Sequence, residues 1–287
     1  MKKTVGFIKN ILKGMVIGIA NVVPGVSGGT MMVVMGIYDR LIHVISHFFS
    51  EFKKHVGFLV AILLGMLIAI FGGSVVIEFL FANFPFPTTL LFIGLILGGL
   101  PMMGKRVKGE KFRIGYGIAF AVFFALVVGM ALLGDASGRE ASIRLTPGGI
   151  LLLFLVGVIA AGTMVIPGVS GSMVLLILGY YNPVISTISD FVSALRAGDK
   201  ATLLRSFLIL LIFGIGVLVG IVGFAKLIEW IFNRFPMYAY WAIIGLIVAS
   251  PIAIVLMASF GTITLPLVII GILCLLAGFF IAYKLGE

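Results

Sequence analysis

The stretch Val-Val-Pro-Gly-Val-Ser-Gly-Gly at residues 22–29 returns as Val-Ile-Pro-Gly-Val-Ser-Gly-Ser at residues 165–172. The copies stand 143 residues apart in a chain of 287 residues, and each lies inside a long uncharged run. A helix break inside two corresponding hydrophobic segments points to the binding site of a transporter. Such backbone is tolerated in a membrane only where it is buried in protein or lines a polar cavity. The repeated stretch therefore predicts a site that handles something polar within the membrane.

The composition of the chain is that of an integral membrane protein. Its mean hydropathy is +1.30, 62% of its residues are hydrophobic, and several uncharged runs exceed the ~20 residues that span a bilayer. We therefore expect one all-α membrane domain over residues 1–287. The single cysteine, Cys274, excludes an intramolecular disulfide and a cysteine-based metal cluster.

The net charge of +10 has an explanation other than nucleic acid. The basic residues cluster beside membrane segments, where cytoplasmic loops collect Lys and Arg. A basic surface next to the membrane also attracts anionic lipid headgroups. We expect membrane lipids as partners, no nucleic acid and no cofactor.

An internal duplication extends beyond the repeated stretch. At an offset of 143 the first copy of the sequence matches the second at Gly36, Tyr38, Ile42, Ile45 and Ser46, which pair with Gly179, Tyr181, Ile185, Ile188 and Ser189. After eight extra residues the offset becomes 151, and Gly65, Glu78, Phe84 and Pro85 pair with Gly216, Glu229, Phe235 and Pro236. We expect a first repeat over residues 1–134 and a second over 148–283.

The repeats predict a topology of hairpins and crossings. Each Pro-Gly-broken segment is expected to form a re-entrant helical hairpin that returns to its starting side, followed by three transmembrane helices. The crossings are expected near residues 57–80, 87–104, 114–134, 204–228, 237–257 and 264–283. Because three is an odd number, the second repeat is inverted relative to the first, and both termini are cytoplasmic.

The charge distribution favours these returning hairpins. They place 15 Lys and Arg residues on the cytoplasmic side and 5 on the outer side, whereas a single crossing by each broken segment would place 9 inside and 11 outside. The positive-inside rule selects the first arrangement. It leaves the depth of the hairpins open.

The motif itself predicts an anion site. Pro24 removes a backbone donor, Gly25 permits a turn, and Ser27 is placed to cap a following helix. The first N–H groups of that helix and the positive end of its dipole favour a phosphate-like anion. Gly28, Gly29 and Thr30 open the helix of the first copy, and Ser170, Gly171 and Ser172 take the corresponding places in the second. The alternative is that these small residues only permit close helix packing.

Two longer signatures surround the repeated stretches. The first signature is Ala20-Asn21-Val22-Val23-Pro24-Gly25-Val26-Ser27-Gly28-Gly29-Thr30, followed by Gly36-Ile37-Tyr38-Asp39-Arg40. The second is Met164-Val165-Ile166-Pro167-Gly168-Val169-Ser170-Gly171-Ser172, followed by Gly179-Tyr180-Tyr181. With these paired signatures the chain resembles the polyprenyl-phosphate transporter family. The second copy departs from the first at Asn182-Pro183, which replace Asp39-Arg40.

The resemblance implies a flippase of the prokaryotic cytoplasmic membrane. Such a protein returns undecaprenyl phosphate, or a similar anionic lipid, to the inner leaflet for cell-envelope synthesis. The physical reading leaves two alternatives open: a secondary carrier or channel for a small phosphate-like anion, and a membrane phosphatase. An enzyme is not expected, because no His, Asp or Cys lies within either motif.

Charged and aromatic residues outside the motifs supply further candidates. Arg40 and Arg144 are the predicted cations for a headgroup on the cytoplasmic and outer sides, and positive-inside anchoring is the alternative for Arg40. Glu78 and Glu229 are matched, and they predict a gate or coupling to a proton or sodium gradient; headgroup-level capping is the alternative. Tyr38 and Tyr181 are predicted either to contact the headgroup or to belong to an aromatic belt.

Two further expectations concern the first hairpin. Lys13 lies at the start of its first arm and is expected to snorkel to the interface. His43 and His47 are four residues apart within an amphipathic interfacial segment over residues 39–55. Too few further ligands stand near them in the sequence, so no metal site is expected.

Overall fold

The computed structural model describes residues 2–23, 26–133, 140–258 and 260–286, and every regular element in those ranges is a helix. The first half contains α1 (Lys2–Val22), α2 (Gly28–Val34), α3 (Tyr38–Ser46), α4 (Phe48–Ile68), α5 (Ser74–Asn83), α6 (Pro85–Val107) and α7 (Ile114–Leu133). The second half contains α8 (Pro147–Val165), α9 (Gly171–Ile177), α10 (Tyr181–Ala197), α11 (Lys200–Arg234), α12 (Pro236–Met257) and α13 (Leu265–Gly286). A π-helical turn at Ala69–Gly73 joins α4 to α5.

Seven described helices are long and apolar enough to cross a membrane. The protein is therefore an all-α, multi-pass membrane protein, as its composition predicts. Six of these helices overlap the six expected crossings. The seventh is α8, the first arm of the expected second hairpin, which at 19 residues is long enough to cross by itself.

The expected amphipathic segment over residues 39–55 is not one helix. It is divided between α3 and the first turns of α4, and His47 lies at the junction with φ −110° and ψ 28°. The amide of His47 still bonds to the carbonyl of His43. The chain therefore departs from regular helical dihedral angles at His47, a change that the amphipathic sequence pattern does not indicate.

The two halves repeat the same backbone conformations at matched positions. Phe84 separates α5 from α6 with φ −135° and ψ 54°, and Phe235 separates α11 from α12 with φ −136° and ψ 56°. Each is followed by a proline at the first position of the next helix, where the missing N–H costs nothing. The duplication in the sequence is thus also a duplication of local structure.

Glycines mark where helices approach most closely within each half. Gly14 of α1 packs on the backbone of Ile62 of α4. One turn further along both helices, Gly18 packs on Met66. The helices α1 and α4 therefore run in the same direction. The backbone contacts of Gly157 with Phe213 and of Gly220 with Val158 place α8 beside α11. Between α1 and α4 the chain has to return to the side on which α1 begins.

Glycines also mark the contacts between the halves. Gly94 packs on Leu275 and Gly98 packs on Phe279, so α6 runs in the same direction as α13. Gly245 packs on the backbone of Phe120, which pairs α12 with α7. Two long helices of each half therefore pack against helices of the other half.

The largest hydrophobic core surrounds the helix that follows the first motif. Met31 and Val34 of α2 are fully buried, and they share this core with Ile17 of α1, Phe92 of α6 and Ile247 of α12. The short helix α2 is thus held at the centre of the protein, between elements of both halves.

Candidate functional site

Both motifs interrupt the helical backbone as the sequence predicts. The helix α1 ends at Val22 and α2 begins at Gly28, and α8 ends at Val165 and α9 begins at Gly171. Ser27 and Ser170 are the N-cap residues, with extended φ and ψ of −91° and 127° and of −98° and 122°. The first N–H groups of each short helix have no acceptor within that helix. Pro24 and Gly25 lie outside the described residues.

The side chains of the two N-cap serines make other contacts than capping. The hydroxyl of Ser27, which is buried, donates to the carbonyl of Val169 at 3.1 Å. The hydroxyl of Ser170 pairs with that of Ser172 at 2.9 Å. Neither side chain accepts a hydrogen bond from a backbone N–H of the helix that follows it. Both serines thus occupy the predicted N-cap positions, but their hydroxyl groups do not cap the helices.

The two motifs are in direct contact. Besides the bond from Ser27, Gly29 faces the second motif, where an added Cβ would lie 3.2 Å from the Cα of Pro167. The hydroxyl of Tyr38 donates to the carbonyl of Val165 at 2.9 Å. Segments that are more than 120 residues apart in the chain therefore meet at one place.

Little free space surrounds the polar groups of the first motif. A Cβ on Gly28 would overlap the amide oxygen of Asn21. The hydroxyl of Thr30 is fully buried and has no hydrogen-bond partner among the described residues. A buried hydroxyl without a partner is costly, so it marks a place where a polar ligand or water would be stabilised.

The second motif has a similar backbone but different neighbours. Gly168 has φ +79°, and an added Cβ would lie 3.0 Å from the Cβ of Leu246. Gly171 faces Met164, and a Cβ added to Gly171 would lie 2.7 Å from the Met164 Cγ. Ser172 is exposed, whereas its counterpart Gly29 is buried. The two motifs therefore share a backbone design and differ in their surroundings.

The side chain of Lys13, which the sequence predicts at the membrane–water interface, is buried. Its side chain is 8% exposed, and its Nζ donates to the carbonyl of Met35 at 2.5 Å. Met35 is the C-cap of α2, so the ammonium group compensates the negative end of that helix. The expectation of snorkelling was wrong, because the nearest acceptor is inside the protein.

The two candidate arginines are not at the motifs. The Arg40 guanidinium lies over the Phe58 ring, 4.2 Å from its centre. Arg144 is exposed and borders a cavity of about 200 Å³ that Tyr180 also lines. Within the described residues neither side chain hydrogen-bonds to a motif. Their predicted roles at the headgroup stay predictions.

The matched acids Glu78 and Glu229 have different surroundings. Glu229 in α11 accepts a hydrogen bond from Ser46, lies 2.7 Å from His43 Nδ1 and lies 3.5 Å from His47 Nδ1. Glu78 in α5 is exposed. At the offset of 143 the counterparts of His43 and His47 are Ser186 and Asp190, which could not pair with a carboxylate in the same way.

The two matched tyrosines also differ. Tyr38 is 4% exposed and belongs to the central core, so the aromatic-belt alternative does not hold for it. Tyr181 is half-buried beside a smaller cluster that contains Leu153 and Ile209. The sequence duplication could not show this difference, because it depends on which half each side chain packs against.

Comparison with known proteins places the site in a family. The family model described as undecaprenyl phosphate translocase-like matches residues 17–265, a range that contains both motifs. The chain belongs to this family. The resemblance drawn from the paired motifs is thereby confirmed.

Two relatives are each named a polyprenyl-phosphate transporter, and the first extends the match over nearly the whole chain. The protein of Staphylococcus aureus is 32% identical over 284 residues, which cover 97% of this chain and 95% of the relative. The protein of Vibrio cholerae is 31% identical over 248 residues, which cover 81% of this chain and 72% of the relative. No solved structure matches the chain.

Proposed function

We propose that this protein is a flippase that returns undecaprenyl phosphate from the outer to the inner leaflet of a prokaryotic cytoplasmic membrane. The headgroup would bind where the two motifs meet. The observation that carries this proposal is the contact between the motifs, in which Ser27 donates to Val169 and Gly29 packs on Pro167. The names of the two relatives support the substrate class.

The chemistry of the substrate fits this place. A phosphate headgroup cannot cross hydrocarbon unaided, whereas a prenyl chain prefers to stay there. The starts of α2 and α9 offer backbone N–H groups, and the unpartnered hydroxyl of Thr30 offers one more polar contact. The flippase would shield only the headgroup and leave the chain in lipid.

The proposal includes two halves of opposite orientation. Consecutive crossings alternate in direction, so α12 and α13 are antiparallel. Because α6 runs with α13, it runs against α12, which is its counterpart in the second repeat. This argument and the excess of Lys and Arg on the predicted cytoplasmic side support inverted repeats with both termini cytoplasmic.

Inverted repeats suggest how the headgroup would gain access from either side. The contact of α3 with α11 through Glu229 lies on the predicted cytoplasmic side, and the corresponding position in the other half holds the exposed Glu78. We propose that opening and closing of these two places alternate. Titration of the carboxylates, or sodium binding to them, would couple the exchange to an ion gradient.

The test is transport by purified protein in proteoliposomes that contain undecaprenyl phosphate. A membrane-impermeant phosphatase added outside hydrolyses only headgroups in the outer leaflet. We expect the protein to make the inner pool accessible as well. A protonophore and a sodium ionophore, added separately, identify the coupling ion.

Two double variants add valine side chains, one at the motifs and the other away from them. Gly28→Val with Gly171→Val would clash with Asn21 and Met164 and should abolish the added accessibility. Gly57→Val with Gly214→Val is the control, since nothing lies within 4 Å of a Cβ at either position. Equal loss in both double variants would contradict a site at the motifs.

The same vesicles separate the alternative functions. Uptake of inorganic phosphate without movement of the lipid headgroup would identify a small-anion carrier. Release of phosphate from the lipid without added phosphatase would identify an enzyme. Either result would overturn the proposal of a flippase.

A further inference from the structure

Three potential metal ligands from opposite halves of the chain meet at one place. His43 lies in α3 and His47, four residues later, is its C-cap residue; their ring centres are 4.6 Å apart. Glu229 of α11 reaches both, at 2.7 Å from His43 Nδ1 and 3.5 Å from His47 Nδ1. One ligand atom from each residue lies within 4.8 Å of the other two.

The spacing of these atoms suits a tetrahedral cation. Zinc binds imidazole nitrogen and carboxylate oxygen at about 2.0–2.2 Å, which puts neighbouring ligand atoms about 3.3 Å apart. His43 Nδ1 lies 2.7 Å from Glu229 Oε1 and His47 Nδ1 lies 3.5 Å from Oε2, so side-chain rotations can bring both nitrogens and one oxygen around a single cation. Two histidines and one carboxylate leave a fourth position for water.

The types of ligand select the class of cation. Imidazole favours zinc and other late first-row transition metals, whereas calcium and magnesium prefer sites made of oxygen. The side chains are also reachable from solvent, since both histidines are 46% exposed and Glu229 is 19% exposed. An ion can therefore enter without unfolding either helix.

We propose that His43, His47 and Glu229 form a binding site for a transition-metal cation of the zinc class. His43 lies in α3 and His47 directly follows it, both in the first half, and Glu229 lies in the long helix α11 of the second half. A bound ion would therefore tie the two halves together and hold α3 against α11. This site lies apart from the headgroup site at the motifs, at the contact of α3 with α11 that is proposed above to open and close.

Metal binding to the purified protein tests the site directly, without a transport assay. The protein carries a tag without histidine, is stripped of metal with a chelator and is titrated with Zn²⁺ by calorimetry. We expect one ion per chain, a higher unfolding temperature when the ion is bound, and no competition from millimolar Mg²⁺. Co²⁺ should give the visible spectrum of a tetrahedral nitrogen–oxygen site.

Matched variants separate a ligand from a structural neighbour. His43→Ala, His47→Ala and Glu229→Gln should each weaken Zn²⁺ binding at least tenfold. Ser46→Ala removes a hydrogen bond to Glu229 but no ligand, and His55→Ala removes a nearby histidine outside the site; both should keep one ion per chain. Ser46→Ala thus controls for loosening of the contact between α3 and α11.

Three results would overturn the proposal. The first is the absence of saturable binding at one ion per chain. The second is binding that survives in the His43→Ala, His47→Ala double variant, and the third is binding that His55→Ala removes. None of these results depends on whether the protein moves lipid, so the transport proposal stands or falls separately.

Discussion

The hydroxyl of Thr30 is fully buried beside the first motif and has no hydrogen-bond partner among the described residues. Replacement by valine keeps the shape and removes an unsatisfied polar group, so Thr30→Val should leave stability unchanged or raise it by about 1 kcal/mol. If the hydroxyl contacts the headgroup, the same variant should transport several-fold more slowly. Thermal unfolding and the leaflet-accessibility assay measure the two effects.

Thr89 provides the control for the Thr30 variant. Its hydroxyl is also buried and also lacks a partner in the described part of the chain, but it lies in α6 rather than in a motif. Thr89→Val should be as stable as Thr30→Val and should transport at the wild-type rate. Normal transport by Thr30→Val, or equal losses in both variants, would argue against a role of Thr30 in binding.

Individual side-chain contacts were the least predictable part of the site. The sequence identified Ser27 as an N-cap position because Pro-Gly precedes it and small residues follow. It could not show that the hydroxyl bonds to Val169, 142 residues away, because that depends on how the halves pack. For the same reason it missed the burial of Lys13 and the approach of Glu229 to His43.

The short helices α2 and α9 end in the same way. Gly36 and Gly179 follow them with φ of +66° and +75°. In each case the glycine amide and the next amide bond back to carbonyls in the last turn, as in a Schellman motif. The positive φ lets the chain turn after each motif helix, and the turn from α9 to α10 is a bend of 106°.

Alanine at these glycines should therefore destabilise the hairpins. A left-handed conformation costs a residue with a Cβ about 1–2 kcal/mol, so Gly36→Ala and Gly179→Ala should each lower the unfolding temperature. Gly36→Ala carries a further cost, because an added Cβ would also lie 3.1 Å from the carbonyl oxygen of Gly286. Thermal unfolding in detergent measures both.

Gly57→Ala is the matched control for these variants. Gly57 lies within α4 with nothing within 4 Å of an added Cβ, so alanine should be neutral or stabilising there. An equal drop in all three variants would show that detergent sensitivity, rather than the left-handed turns, controls unfolding.

Elements were predicted better than contacts, and the reason is physical. Crossings follow from long uncharged runs, and the two breaks follow from Pro-Gly, so both can be read from local sequence. The division of residues 39–55 at His47 and the π-helical turn at Ala69–Gly73 could not. They depend on backbone hydrogen bonds that hydropathy does not encode.

At the scale of the whole molecule, the orientation of the loops decides between inverted and parallel repeats. In a Cys274→Ala background, Lys108→Cys should resist a membrane-impermeant thiol reagent applied to whole cells, whereas Arg196→Cys should react. Both positions are exposed. Parallel repeats would put residue 108 outside as well, so labelling of both cysteines would contradict the proposed topology.

Inside-out vesicles supply the reciprocal measurement. There, Lys108→Cys should become reactive and Arg196→Cys should be protected. Failure of Lys108→Cys to react on either side would show burial rather than sidedness, and Lys284→Cys at the predicted cytoplasmic C-terminal end would then replace it as the reporter.

The glycine contacts between the halves bear on how such a chain arose. The tightest surfaces of α6 and α7 are covered by α13 and α12, which belong to the other repeat. A half-length ancestor would have left these surfaces open to lipid, so it would have needed a second copy of itself. If the repeats are inverted, that ancestor inserted into the membrane in both directions, and gene fusion later fixed one copy in each.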